Sequence, residues 1–166
     1  MVVIVFGVAG VGKTTIGKLL ASELGWKFYE GDDFHPIANV EKMKKGIPLN
    51  DGDRQPWLES LRERIKESLA ANEDAVLACS ALKRKYRDLL RVNSQVRFVY
   101  LRGDKEIVRE RLKQRRGHFF DPKLLESQFA DLEEPGPDEA VLVVDAEGHP
   151  QQLVTKIVRS LRDSRQ

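Results

Sequence analysis

The sequence predicts an α/β fold, a three-layer sandwich in which helices cover both faces of a five-stranded parallel sheet. Three observations predict it. Short apolar runs rich in β-branched residues alternate with stretches of helical periodicity, the pattern of strands buried on both sides. The first run passes directly into a glycine-rich turn that opens a helix. The 166 residues suit one domain, residues 1–166, large enough to bury roughly 70% of the surface of the unfolded chain.

Val2 to Phe6 is the first strand, continuous in apolar residues. Ile16, Leu19, Leu20 and Leu24 then recur at helical spacing from Lys13, with Gly25 at the C-terminal cap position. Lys27 to Tyr29 reads as a second strand, Gly31 to Pro36 as a loop and Ile37 to Lys45 as a short helix. Gly46 to Asp53 is turn-rich, and Pro56 is placed in the first turn of a helix running to about Ala71, with Trp57, Leu58, Leu61, Ile65 and Leu69 on one stripe. Ala75 to Cys79 forms a third strand, Lys83 to Arg91 a basic helix and Val96 to Leu101 a fourth strand. Asp104 caps a helix through Arg116, and Asp121-Pro122 starts another bearing Leu124, Leu125, Phe129 and Leu132. Ala140 to Val144 is the fifth strand and Pro150 to Leu161 the last helix.

Composition excludes several classes. Lys and Arg number 28 against 26 Asp and Glu, so a net charge of +2 gives no basis for a nucleic-acid or polybasic membrane binder. The single cysteine, Cys79, cannot form an internal disulfide; it reads as packing and suits a reducing, cytoplasmic compartment. The apolar start from Met1 to Phe6 is too short for a signal or membrane segment.

Gly7-Val8-Ala9-Gly10-Val11-Gly12-Lys13-Thr14 matches G-x-x-x-x-G-K-[ST], between a strand and a helix as that phosphate-binding motif requires. Its glycines let successive N–H groups point at phosphate oxygens, and the helix N-terminus adds positive potential. Lys13 would reach the β and γ phosphates and Thr14 would hold Mg²⁺, while Thr15 would serve the first helical turn or the α-phosphate. A GTPase switch is excluded: no N-K-x-D occurs, and the D-x-x-G at Asp145 to Gly148 lies near the C-terminus. Val141 to Asp145 imitates a Walker B strand, although its place on the fifth strand fits a structural or adenine-side role better.

Phosphoryl transfer to a second substrate needs a carboxylate at the acceptor hydroxyl and cations around the moving phosphoryl group. Asp32 and Asp33 follow the second strand, at the sheet edge that carries the phosphate loop, and either can accept the hydroxyl proton. His35 can bond an acceptor hydroxyl. Arg54, read as lying directly before a helix start, is poorly placed for the helix dipole and so suggests an anionic ligand, the alternative being an ion pair with Asp51 or Asp53. Lys83 follows the third strand on the acceptor side. The basic helix Arg109 to Arg116, with Arg111 and Arg115, reads as a lid that would exclude water during transfer, or as a solvated face.

Taken together, the phosphate loop with Gly31-Asp32-Asp33-Phe34-His35-Pro36, Lys42-Met43, Gly46-Ile47-Pro48-Leu49, Asp51-Gly52-Asp53-Arg54-Gln55-Pro56-Trp57-Leu58, Cys79-Ser80-Ala81-Leu82-Lys83, Tyr86-Arg87-Asp88, His118-Phe119 and Ser127-Gln128-Phe129 resembles the gluconokinase family of small P-loop kinases, related in fold to shikimate and adenylate kinases. The resemblance runs nearly end to end. It implies a P-loop kinase fold with a mobile lid at about 110–135, homodimers, and ATP-dependent phosphorylation of D-gluconate at its 6-hydroxyl with Mg²⁺. It also implies that Asp32 orients or deprotonates the hydroxyl, that Asp33, His35, Arg54, Lys83 and His118 bind the acceptor, and that Arg111 and Arg115 contact the nucleotide, Arg115 more directly. Many relatives carry Asp where this chain has Glu30, so contact with magnesium through water is expected here. The competing readings are a kinase for another small acid such as shikimate, and a nucleotide-binding regulatory module without phosphotransfer.

Overall fold

The computed structural model describes residues 1–114 and 121–165. Strands β1 (Val2–Phe6), β2 (Lys27–Glu30), β3 (Ala75–Cys79), β4 (Val96–Arg102) and β5 (Val141–Asp145) form one parallel sheet in the order β2-β3-β1-β4-β5. Around it lie α1 (Lys13–Leu24), α2 (Ile37–Lys44), α3 (Asp51–Ala70), α4 (Arg84–Leu90), α5 (Lys105–Gln114), α6 (Pro122–Asp131) and α7 (Pro150–Asp163). Short 3₁₀ turns occupy Gly31–Phe34 and Pro137–Glu139.

The period-two geometry of β1 divides its side chains between two cores. Val3 and Val5 pack with Ile16 and Leu20 of α1 and with Val154 and Ile157 of α7. Val2, Ile4 and Phe6 pack on the opposite face with Trp57, Leu61 and Ile65 of α3 and Tyr86 and Leu90 of α4. All five β1 residues are buried, which accounts for the unbroken apolar run. Truncating one of the large fully buried residues, such as Leu20 or Leu61, to Ala would cost about 2–5 kcal/mol.

The helix caps follow local chemistry. Gly25 ends α1 in the left-handed conformation, the Asp104 carboxylate accepts from the Glu106 amide at 2.9 Å, and Asp121 accepts from the Lys123 amide at 2.9 Å. One start differs from expectation. Helix α3 begins at Asp51, not near Pro56, because Asn50 and Asp53 form a reciprocal capping box: Asn50 Oδ1 accepts from the Asp53 amide at 2.8 Å and Asp53 Oδ2 from the Asn50 amide at 3.0 Å. Pro56 therefore lies inside the helix. Its missing N–H deprives the carbonyl of Gly52, an exposed residue of the first turn, so the usual penalty for proline is softened.

Arg87 of α4 is fully buried and structural. Its Nε and Nη2 donate to Glu139 at 2.8 and 2.9 Å, Nη1 to the Ala81 and Leu82 carbonyls, and Nη2 also to the Glu133 carbonyl. Every guanidinium donor has an acceptor, the condition for holding this charge inside. Among the described residues no helix is long and apolar enough to cross a membrane.

Candidate active site

The helix α1 that follows β1 covers one face of the sheet, whereas α4, after β3, covers the other. A crevice therefore opens at the carboxyl ends of these adjacent strands, the place where open α/β sheets bind ligands. Gly7 to Thr14 lies there. Gly12 caps α1 with φ +106°, a conformation that L side chains rarely adopt, and so turns the loop into the helix. Lys13 folds back along the loop, its Nζ donating to the carbonyls of Gly7 at 2.9 Å and Val8 at 3.1 Å.

Opposite the loop, β2 delivers Glu30 and Asp32. The Thr14 hydroxyl donates to Glu30 Oε2, and Glu30 Oε1 accepts from the Asp32 amide at 3.5 Å. Gly31 lets this turn lie directly on β3: a Cβ there would sit 2.5 Å from the Ala78 carbonyl oxygen and 2.7 Å from the Cys79 Cβ. Cys79 itself is inert packing, its thiol pushed up to about 12 by complete burial.

A cavity of about 610 Å³ brings these groups together. Ala9, Gly10, Gly12, Lys13 and Thr14 line it on the phosphate-loop side, and Glu30, Asp32, His35 and Arg54 on the other. Trp57 forms part of the wall, its indole N–H donating to the Gly31 carbonyl at 2.8 Å, and His35 stacks on it at a centroid distance of 4.4 Å and 10°. Burial holds the His35 imidazole below its ordinary pKa, with Arg54 adding to the effect and Asp32 opposing it.

Arg54 is 7% exposed and belongs to the first turn of α3, not to the residues before it. It pairs with neither Asp51 nor Asp53. Its Nη1 donates to the Tyr86 hydroxyl and its Nη2 to Asp131 of α6, both at 3.0 Å. Burial disfavours its charge, yet Tyr86 and Asp131 outweigh that and hold its pKa above the ordinary value. Asp53 instead receives Lys42 at 2.9 Å, and Asp51 receives Lys83 at 2.9 Å together with Lys85 and the Tyr86 hydroxyl.

The expected site residues therefore fall into groups. Lys13, Thr14, Glu30, Asp32, His35 and Arg54 share the large cavity. Asp33 is exposed and Lys83 is engaged by Asp51; neither lines that cavity. Arg111 lines a second pocket of about 350 Å³ on the other side of the phosphate loop, with Gly10, Val11, Gly12, Thr15 and the Ala146–Gly148 turn, and donates to the Ala146 carbonyl at 3.3 Å. Arg115 and His118 lie outside the described residues. Asp145 pairs with Arg102 at 2.9 Å on the β4–β5 edge.

Three residues of this site were not singled out by sequence. Gln128 of α6 lines the cavity and accepts from the Ala9 amide of the phosphate loop at 2.6 Å. Asn39, 4% exposed, donates through Nδ2 to the Asp53 carbonyl at 2.8 Å and lies 3.2 Å from His35 Nδ1. Asp131 fixes Arg54. Gln128 sits in one of the blocks that carried the resemblance, but only the fold shows what it touches.

The hydroxyl of Thr14 beside the Glu30 carboxylate is an all-oxygen donor set, which fits Mg²⁺, an ion commonly held by one or two protein oxygens and otherwise by phosphates and water. Among the described residues no group of three or more His, Cys, Asp or Glu could hold a metal by itself.

A phosphate-loop motif sharing one cavity with a carboxylate and a buried cation at a parallel sheet's carboxyl edge defines a P-loop phosphotransferase. The shikimate kinase family pattern matches residues 9–162. Within that class, the chain belongs to the gluconokinase family. It is 47% identical to the gluconokinase of Gluconobacter oxydans over 94% of this chain and 88% of that protein, and 42% identical to the thermoresistant gluconokinase of Escherichia coli over 96% and 92%. A gluconokinase structure from Sinorhizobium meliloti superposes with a TM-score of 0.82 at 38% identity, covering 98% of this chain and 95% of that one. The shikimate kinase of Acinetobacter baumannii, at 20% identity and a TM-score of 0.63, shares the fold.

Proposed function

We propose that this protein transfers the γ-phosphoryl group of ATP to the 6-hydroxyl of D-gluconate, giving 6-phosphogluconate and ADP. The observation that carries the reading is the shared cavity: Lys13 and Thr14 face it from the phosphate loop, Asp32, His35 and Arg54 from the acceptor side. A polyhydroxy acid offers those three residues hydroxyls and a carboxylate. In this mechanism Arg54 binds the carboxylate and Asp32 takes the proton of the attacking hydroxyl as its oxygen forms the new bond to the γ-phosphorus and the bond to ADP breaks. Lys13 and the loop amides stabilise charge on the transferring group. Mg²⁺, held by Thr14 and by Glu30 through water, would neutralise the phosphate oxygens. The nucleoside would extend past Thr15 to the second pocket and Arg111, and the segment from about 110 to 135, including Arg115 and His118, would act as the lid.

We also assign a cytoplasmic homodimer, on the single buried cysteine and the family resemblance. A coupled assay for ADP release with ATP, Mg²⁺ and a panel of gluconate, shikimate and other sugar acids tests the substrate. Turnover with gluconate is expected, and preferential turnover of another acid overturns the assignment. Nucleotide binding indifferent to every acid, without phosphotransfer, would return the protein to a regulatory role.

A further inference from the structure

We propose that Asn39 is a positioning residue that fixes His35 as a neutral imidazole protonated on Nε2, so that His35 donates a hydrogen bond to an oxygen of the acceptor substrate. The inference rests on reading this cavity as the acceptor site.

The argument starts from a backbone carbonyl. The Asp53 oxygen can only accept, so the Asn39 atom 2.8 Å from it is the amide nitrogen. That nitrogen has a second N–H, and 3.2 Å away lies His35 Nδ1. A donor facing a ring nitrogen requires a lone pair there, which leaves the imidazole proton on Nε2. Asn39 is buried, so both N–H groups need acceptors, and these two supply them.

Among the described residues, the surroundings hold the ring in this arrangement. Its face is stacked on Trp57, and Trp57 is 1% exposed and tied by its N–H to the Gly31 carbonyl. Among the described residues the charged groups that act on it are Asp32 from the neighbouring 3₁₀ turn and Arg54 from α3; burial and Arg54 prevail, and the neutral ring is favoured. Among the described residues the imidazole makes no other hydrogen bond, and it lines the cavity with Asp32. A donor N–H and an acceptor carboxylate on one cavity wall match a hydroxyl, which accepts from one and donates to the other.

The protein has three histidines, so a two-bond ¹H–¹⁵N spectrum resolves the ring nitrogens, with His35→Gln identifying the His35 signals. At neutral pH an unprotonated Nδ1 and a protonated Nε2 are expected for His35. A proton on Nδ1, or an imidazolium, overturns the proposal. The second arm is Asn39→Asp, which places an acceptor at Nδ1. The neutral ring then carries its proton on Nδ1 and cannot donate from Nε2, whereas the imidazolium still can. Relative to the unmodified protein, kcat/KM for gluconate should hold at acid pH and fall about tenfold as the ring deprotonates, the loss of about one hydrogen bond, with KM for ATP unmoved. A profile parallel to that of the unmodified protein also overturns the proposal, and should this variant fail to fold, the spectrum decides alone. No turnover of gluconate by the unmodified protein would remove the substrate reading and leave the tautomer to the spectrum.

Discussion

Replacing Arg54 by Met removes the buried cation of the proposed acceptor cavity while keeping most of the side chain's length. The two partners it leaves behind are not stranded. Tyr86 still donates its hydroxyl to Asp51, and the Asp131 side chain is 25% exposed, so water can reach it. The folding penalty should therefore stay within about 1–3 kcal/mol, the cost of leaving a buried polar group under-satisfied. Loss of a hydrogen bond to a charged group costs about 1.5–3 kcal/mol, and at about 1.4 kcal/mol per tenfold this predicts a rise in KM for gluconate of about 10- to 150-fold. Arg54 makes no bond to the phosphate loop, so KM for ATP should change less than about threefold, the mark of binding lost on one substrate only. The measurement is a coupled ADP assay with gluconate varied at saturating ATP, alongside a urea melt to verify folding. A folded variant with an unchanged gluconate KM would refute the assignment and leave Arg54 as a tie between α3 and α6.

Other perturbations separate chemistry from scaffold. Asp32→Asn should lower kcat by about a hundredfold or more, in the range of lost general-base catalysis, with little change in ATP affinity measured by calorimetry. Arg87→Met strips buried Glu139 of its two short guanidinium bonds, leaving it only Arg84 at 3.9 Å and the Gly136 amide at 3.4 Å, and should cost about 3–5 kcal/mol in urea denaturation, while KM values of the folded fraction stay near normal. Asp51 is held below the usual carboxylate range by bonds from Lys85, Tyr86 and Lys83. Its contribution is complete above its unfolded value of about 3.9 and is lost as pH falls toward the lower folded value. Thermal melts between about pH 5 and 2.5 should therefore lose more stability in the unmodified protein than in Asp51→Asn; equal losses would contradict this.

The strands and most helices were legible because their cause is local: apolar runs, periodicity and caps such as Gly25 and Asp121 each act within a few residues. The phosphate loop was legible for the same reason, since eight consecutive residues contain it. Helix α3 was misjudged at its start because Pro56 is a conspicuous signal and the Asn50–Asp53 box a quiet one. What the sequence hid were pairings across long separations. Arg87 meets Glu139 52 residues on, Arg54 meets Asp131 77 residues on, and Ala9 meets Gln128 119 residues on. The sequence shows Lys83 to Arg91 only as a basic helix, and three of the α4 charges are in fact paired within the protein, Arg84 to Asp138, Lys85 to Asp51 and Arg87 to Glu139. Composition shows charge; only the fold shows which charge is already answered.

Gly31 has no functional group, yet it bears on any attempt to redesign the proposed acceptor pocket. The clearance of 2.5 Å to the Ala78 carbonyl is filled by backbone, which cannot rotate aside as a side chain could. Even a methyl group there would lever the Asp32 turn away from β3 and shift the carboxylate relative to the phosphate loop. Met43, Leu49 and Leu124 also line the cavity, and a change there meets side chains that can shift, where a change at Gly31 meets backbone. Position 31 works as a machinist's datum surface, the fixed face against which the Asp32 turn is seated on β3.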